Sequence, residues 1–355
     1  MLVPSKKFRL IHPDLLTTIK RNRNFTIIKP LSLFPFQAMG VISLVLTHLE
    51  KITHVRIWRL FLSIQLRREI FNYVHLVEIQ GAGYLFLDSK IVLPSRTKLI
   101  VTNWGSDIFF FQHNEQDRKK IQQVLRKADL YSAECHRDYK LARKLGFTGS
   151  SLPCIPNAGG FQQIPDLTIS RQDLNLRRTV VCKAYGGQFG LGNLLLEVSR
   201  TVLERPGEWN FYFYSVTDDL LDEVKLLERD HPGKVRFSAQ REKLSQAEMR
   251  QLFLESRIYM GASRSDGLST SFLEALCFGA YPIQTNTSCA DEMLRKGFQA
   301  SIVEPKREAI QSAFDYVSNQ VEKLTHSALQ NNLLAREHLD FEKIKSVALG
   351  FYLKA

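Results

Sequence analysis

The sequence predicts two doubly wound α/β domains in tandem, on three observations. Short apolar runs bounded by turn residues alternate with longer stretches of helical period, the pattern of parallel β-α-β units. The chain has 355 residues, which is two domains at roughly 150 residues each. A polar, charged stretch at 164–178 (IPDLTISRQDLNLRR) follows the turn-rich PNAGG of 156–160 and marks a linker. The composition, 44% hydrophobic and 24% charged, excludes a disordered, collagenous or coiled-coil chain.

Taken in order, the first strand is expected at 7–12 (KFRLIH), a short and basic opening for a sheet. Residues 31–49 (LSLFPFQAMGVISLVLTHL) follow Lys20, Arg21, Arg23 and Lys29 and raise the question of a membrane segment. Pro35, Gln37, Ser43 and His48 interrupt them. A spanning helix wants about 20 largely apolar residues, so a buried or membrane-surface amphipathic helix is expected instead. Further strands are expected at 98–102 (KLIVT), 179–184 (TVVCKA), 209–214 (WNFYFY), 234–238 (KVRFS), 257–261 (RIYMG) and 280–285 (AYPIQT). Helical stretches lie between them at 194–203, 220–229 and 245–254, the last opening on Ser245 and Glu248 as a capping box. From Arg307 the chain reads as helices to its end, where Phe341, Ile344, Val347, Leu349 and Phe351 supply apolar positions. The expected division is 1–164, 165–339, and a C-terminal helix at 340–355 packing back on the first domain, with the two halves facing each other across a cleft.

Charge is placed unevenly. Residues 1–150 carry 24 Lys and Arg against 11 Asp and Glu, a net of +13, and the remainder is nearly neutral at −1. An anionic partner is expected on the first half: nucleic acid, an acidic membrane surface or a phosphorylated substrate. Nucleic acid is set aside, because there is no RNP, zinc-finger or KH pattern and no basic stripe interleaved with aromatics. The five cysteines form no CxxC pair and no zinc-ligand spacing, and read as reduced thiols of a cytosolic protein.

The most informative stretch is 263–279 (SRSDGLSTSFLEALCFG), between the RIYMG and AYPIQT strands. A helix begins near Ser269, so the amides of Leu268, Ser269, Thr270 and Ser271 are donors at the positive end of a helix dipole, suited to a phosphate. Gly267 lets the backbone come close. Asp266 and Glu274, eight apart, flank that anion site. Such carboxylates suit neutral hydroxyls, those of a sugar and a ribose; the bland alternative is a helix-start residue and a solvated helix position. The glycines at 186, 187, 190 and 192 do not spell GxGxxG, so NAD is not expected. Asp218, Asp219 and Asp222 are read as helix N-terminal charges behind Thr217, not as metal ligands.

The pattern Asp266, Gly267, Glu274, Ala275, Gly279 and Pro282 resembles the E-x7-E motif of retaining GT-B glycosyltransferases (family 4, group 1 like), with Asp266 in place of the first Glu. The resemblance covers the chain from about His75 onward. It implies two Rossmann-like domains, Asp266 on the donor's sugar hydroxyls, the amides at Leu268, Ser269 and Thr270 on its diphosphate, and Glu274 on its ribose. In the first half, 73–84 (YVHLVEIQGAGY) and 102–108 (TNWGSDI) resemble the glycine-rich turn and GSD element that line the acceptor side in bacterial polysaccharide glycosyltransferases. That implies Gly81, Gly83, Gly105 and Ser106 beside the acceptor and Asp107 near the reacting sugar, where capping the next helix is the plain alternative. His75 and Glu78 are weaker candidates. The stretches 131–138 (YSAECHRD) and 154–161 (CIPNAGGF) also fit, with the glycines of the second making a turn.

One departure bears on mechanism. Family members carry an Arg and a Lys five residues apart after the first strand of the second domain, gripping the diphosphate. Here Lys183 supplies one cation and Gln188 stands at the second place, so Arg241 or Lys243 would have to reach in.

The resemblance implies a hexosyltransferase-like, metal-independent enzyme with no cofactor besides its UDP- or GDP-linked sugar co-substrate. Its acceptor would be lipid-linked or polysaccharide, in synthesis of bacterial surface glycan such as lipopolysaccharide. It would be cytoplasmic and peripheral on the anionic inner face of the cell membrane. The alternatives are a non-catalytic relative that binds a glycan or a partner enzyme, and a sugar-nucleotide epimerase.

Overall fold

The computed structural model describes residues 2–3, 48, 64, 66, 71–168 and 171–352. The expected strand at 7–12 and the apolar stretch 31–49, apart from His48, lie outside them. Among the described residues no helix is long and apolar enough to cross a membrane. The chain forms two compact units. One holds the described residues up to Cys154 together with 349–352, and the other runs from Ile155 to Ala348.

The first unit is a parallel sheet in the order β1 (Leu2–Val3), β2 (Tyr73–Val77), β3 (Lys98–Thr102), β4 (Leu130–Ser132), β5 (Ser150–Ser151). Alternation decides which face meets the helices. Val74, Leu76, Leu99 and Val101 pack with α1 (Tyr84–Ser89) through Leu85 and Phe86, with α2 (Glu115–Lys127) through Ile121, Val124 and Leu125, and with α3 (His136–Lys144) through Ala142. His75 alternates to the other face of the sheet and is buried there: its Nδ1 lies 2.6 Å from the Tyr352 hydroxyl and its Nε2 2.6 Å from Thr102 Oγ1. Burial drives the imidazole down to about 3, so it is neutral and bridges the two hydroxyls.

The second unit is a six-stranded parallel sheet of β6 (Thr179–Lys183), β7 (Asn210–Val216), β8 (Val235–Ala239), β9 (Ser256–Gly261), β10 (Tyr281–Thr285) and β11 (Ser301–Val303), ordered 11-10-9-6-7-8. Both faces are covered, hence the near-continuous apolar runs. Val180, Cys182, Phe211, Phe213, Ile258 and Met260 form one core layer with α5 (Gly192–Leu203), α6 (Leu221–Asp230) and α10 (Arg307–Ser318). Val181, Tyr214 and Tyr259 form the other with α7 (Gln246–Glu255), α8 (Thr270–Phe278) and α11 (Val321–His338). The remaining helices are α4 (Arg171–Leu176), α9 (Asp291–Leu294) and α12 (Phe341–Gly350). The Ser245 and Glu248 capping box is present at the start of α7. Helix α4 forms inside the stretch read as a linker and buries Leu174 there. The strand order reverses between β6 and β9, and a ligand of such a sheet sits outside the carboxyl ends at that reversal.

Candidate functional site

Every residue of the expected donor set except Arg241 and Lys243 lies on the carboxyl side of β6 or β9. Lys183 closes β6, half-buried, with its ammonium 4.7 Å from the centroid of the Tyr185 ring. The turn after it is shaped by glycines. A Cβ on Gly190 would stand 1.9 Å from the Tyr185 carbonyl oxygen, and Gly187 takes φ +66°. Its two leading amides are already occupied: Gly186 N–H donates to Thr217 Oγ1 (2.9 Å) and Gly187 N–H to Asp219 Oδ2 (3.2 Å). The Thr217 hydroxyl and the Gly187 amide together hold the Asp219 carboxyl below its ordinary value. Thr217 therefore does not open the next helix, whose N-cap is Leu220, and Asp219 is a brace for the turn in place of a helix-end charge. Gln188 is exposed in the same turn.

The β9 loop is clipped to this turn. Leu191 N–H donates to Ala262 O (3.2 Å), Arg264 N–H donates to Phe189 O (2.7 Å), and Gly190 bridges Ser263. Asp266 Oδ1 accepts the Gly267 amide at 2.8 Å, and Gly267 O accepts the Cys289 amide at 2.9 Å, which anchors the loop to the segment after β10. Helix α8 then starts at Thr270 with Ser269 as N-cap and stops at Gly279, which takes φ +87°. The first-turn amides of a helix have no partner within it and present partial positive charge. Ser269 is buried and Thr270 exposed at that start.

Glu274 is not a solvated helix position. It is half-buried, and burial pushes its carboxyl up to about 7, against the pull of the Lys183 charge. Its charge is also felt by Tyr214 and Tyr259, whose phenols burial drives well above their ordinary value. Tyr185 is likewise raised, first by burial and then by the charge of Asp266. Lys183, Asp266 and Glu274 thus share one electrostatic environment at the reversal. Arg241 and Lys243 are exposed in the turn after β8, the edge strand, two strand positions from β6. Arg264 was not expected from the sequence. Its signal was a cation two residues before Asp266, and its relevance depends on β9 lying beside β6.

In the first unit Gly81, Gly83, Gly105, Ser106 and Asp107 all follow β2 or β3. The glycines Gly81 and Gly83 lie in a π-helical turn, Ile79–Gly83, of the kind often found at functional positions. Gly81 N–H donates to Glu78 Oε1 (3.1 Å), and Glu78 itself takes φ 100°, an unusual conformation for a residue with a side chain. A Cβ on Gly83 would crowd Val124 at 3.2 Å, so this glycine serves packing against α2. Gly105 takes φ 38° and donates to Glu134 Oε1 at 3.2 Å. Asp107 does not cap a helix, because α2 is capped by Asn114. Instead its Oδ2 accepts the amides of Ile79 (2.9 Å) and Trp104 (3.1 Å), and its carbonyl accepts Gln80 Nε2 (2.7 Å). Burial pushes its carboxyl up to about 8, with Glu78 and Asp138 adding and the two amides opposing. Among the described residues its Oδ1 takes no hydrogen bond, which leaves that oxygen for a ligand.

No protein-family model matches the sequence, and no curated protein matches it. Solved structures do share the fold. HepE of Anabaena, solved with UDP and glucose, superposes with a TM-score of 0.64 over 100% of this chain and 99% of its own, at 13% identity. A glycosyltransferase from Rickettsia africae gives 0.60 at 13% identity, over 83% of this chain and 79% of its own. The sucrose-phosphate synthase of Thermosynechococcus elongatus gives 0.59 at 12% identity, over 80% and 73%. The two parallel-sheet α/β units are those of the GT-B fold.

Proposed function

We propose that the chain is a retaining, metal-independent glycosyltransferase that moves a sugar from a UDP- or GDP-linked donor to a lipid-linked or polysaccharide acceptor in bacterial surface-glycan synthesis. One observation carries this reading: a lysine, a glycine-led helix start and two carboxylates meet at the carboxyl edge where the sheet of the second unit reverses. A nucleotide diphosphate sugar has matching parts. Its diphosphate suits the α8 amides and Lys183. Its sugar hydroxyls suit Asp266 and its ribose Glu274. The complex of HepE with UDP-glucose supports a donor of this class.

In the reaction the bond from the sugar's anomeric carbon to the phosphate oxygen breaks, its electron pair leaves with the diphosphate, the acceptor oxygen bonds to the anomeric carbon, and the acceptor's hydroxyl proton passes to the departing diphosphate oxygen. Catalysis comes from orientation and from stabilising the departing charge. Gly81, Gly83, Gly105 and Ser106 shape the acceptor side. Asp107, mostly protonated at pH 7 with a value near 8, suits hydrogen-bonding the acceptor through Oδ1 better than acting as a base. We assign no side-chain nucleophile. The excess of +13 on residues 1–150 supports rest on the anionic inner face of the cell membrane.

The test is a thermal-shift panel of UDP, GDP, ADP, CMP and dTDP, with and without EDTA, on wild type and Glu274→Ala. A ligand at about 100 times its dissociation constant stabilises by about 2.7 kcal/mol. One diphosphate should stabilise the wild type regardless of EDTA and leave the variant unshifted; stabilisation by none overturns the donor site. The neutral Gln188 favours a second reading, a non-catalytic binder. Release of free sugar or transfer product from the identified donor rejects it.

A further inference from the structure

A departing nucleoside diphosphate carries one more negative charge than the sugar ester it came from, and the reading above provides a single side-chain cation, Lys183, to meet it. Gln188 is neutral and exposed. Arg241 and Lys243 follow β8, and with neighbouring strands about 4.8 Å apart they start about 10 Å from β6 and about 14 Å from β9. Arg264 is better placed. It lies in the loop after β9, between buried Ser263 and Ser265, and its backbone is fixed by the bond from its amide to Phe189 O at 2.7 Å. Its guanidinium leans over the turn after β6, with Nη1 3.5 Å from Gly190 O. The side chain is exposed and, among the described residues, makes no ion pair. A long bond to a neutral carbonyl is weak, whereas a guanidinium grips phosphate oxygens through two parallel charge-assisted bonds.

We propose that Arg264 is the second cation on the donor's diphosphate, standing in for the charge that Gln188 lacks. The inference rests on the donor-site reading. Arg264 transfers no proton, since a guanidinium keeps its charge throughout. It swings from Gly190 O to the phosphate oxygens and holds them as the bond to the anomeric carbon breaks. A rigid backbone supporting one free cation between the two loops is what that task requires, because the loops themselves then need not reorganise.

The experiment measures UDP, GDP, UMP and GMP affinities by calorimetry on wild type, Arg264→Ala, Arg264→Lys and Arg229→Ala, the last removing the same charge from the far end of α6. Wild type should bind one diphosphate. Arg264→Ala should weaken that diphosphate about tenfold or more and its monophosphate by about threefold or less, with partial recovery in Arg264→Lys. Arg229→Ala should match wild type. A diphosphate affinity unchanged in Arg264→Ala overturns the assignment of Arg264 alone, as does an equal loss for diphosphate and monophosphate. A wild type that binds none of the four overturns the donor site and this inference with it.

Discussion

Asp107 accepts the amide of Ile79 at 2.9 Å, so one buried carboxyl fastens the loop after β3 to the π-helical turn after β2. The same oxygen holds the Trp104 amide at 3.1 Å. The arrangement stiffens the carboxyl edge of the first sheet while leaving the second oxygen open.

Its titration follows. The folded value, near 8, lies above the ordinary 3.8. Its contribution to stability is therefore fully present below about pH 4 and lost as pH rises through about 8, at up to about 1.4 kcal/mol per pH unit within that window. Urea unfolding from pH 5 to 8.5 should show wild type losing stability relative to Asp107→Asn, which keeps an oxygen for the two amides. Asp107→Ala should be less stable than either by about 1–3 kcal/mol, since it orphans buried donors. In turnover assays Asp107→Ala should lower the rate or the acceptor affinity; no change in either would remove its role.

Glu274 separates binding from folding. Burial raises its carboxyl to about 7, so its contribution to stability falls as pH rises through that value. Glu274→Gln should melt at or above the wild-type temperature at pH 8, yet lose the shift given by the donor diphosphate. A variant that melts lower and still binds would assign the residue to packing.

Gly190 and Gly187 lie in one turn and should respond differently. A Cβ at Gly190 meets the Tyr185 carbonyl oxygen at 1.9 Å and its carbon at 2.4 Å, backbone that cannot give way. Gly190→Ala should cost about 3 kcal/mol or more. Gly187 has nothing within 4 Å, and only its φ of +66° resists a side chain. Gly187→Ala should cost about 1 kcal/mol. Chemical denaturation of both variants distinguishes a packed turn from a merely bent one.

Tyr352 closes on His75, with ring centroids 5.9 Å apart and its hydroxyl 2.6 Å from Nδ1. Tyr352→Phe should destabilise by about 1 kcal/mol without changing nucleotide affinity. The imidazole value near 3 lies below the ordinary 6.5, so its contribution is present above about pH 6.5 and lost as pH falls through about 3. Replacing His75 with Gln should flatten that acid-side loss in the same denaturation series.

Helix α2 exposes Arg118, Lys119, Lys120, Arg126 and Lys127. Each basic residue near an anionic surface contributes about 1 kcal/mol. Liposome sedimentation should show binding that needs anionic lipid and weakens with salt, and reversal of Lys120, Arg126 and Lys127 to Glu should reduce it. Binding indifferent to lipid charge would reject the membrane face.

What the sequence determined by itself was local. Strand, loop and helix follow one another within 256–279, so Gly267, the start of α8 and the spacing of Asp266 and Glu274 were readable from side-chain type and period. The alternation of Val180, Val181 and Cys182, buried on opposite faces, likewise announced a sheet covered on both sides. Asp107 was legible as a residue of the turn that follows a strand, although its clasp on Ile79 was not.

Tertiary structure decided which strands are neighbours, and with that which charges can act together. Nothing between residues 183 and 264 says that β9 pairs with β6 while β8 goes to the edge. That order comes from long-range crossovers, and it brings Arg264 to the turn after β6 while it carries Arg241 and Lys243 away. It also turns Asp219 from a helix-end charge into the brace of the Gly186 turn. The raised carboxyls of Asp107 and Glu274 arise in the same way, because burial depends on what the rest of the chain packs around a group, and sequence spacing alone does not fix it.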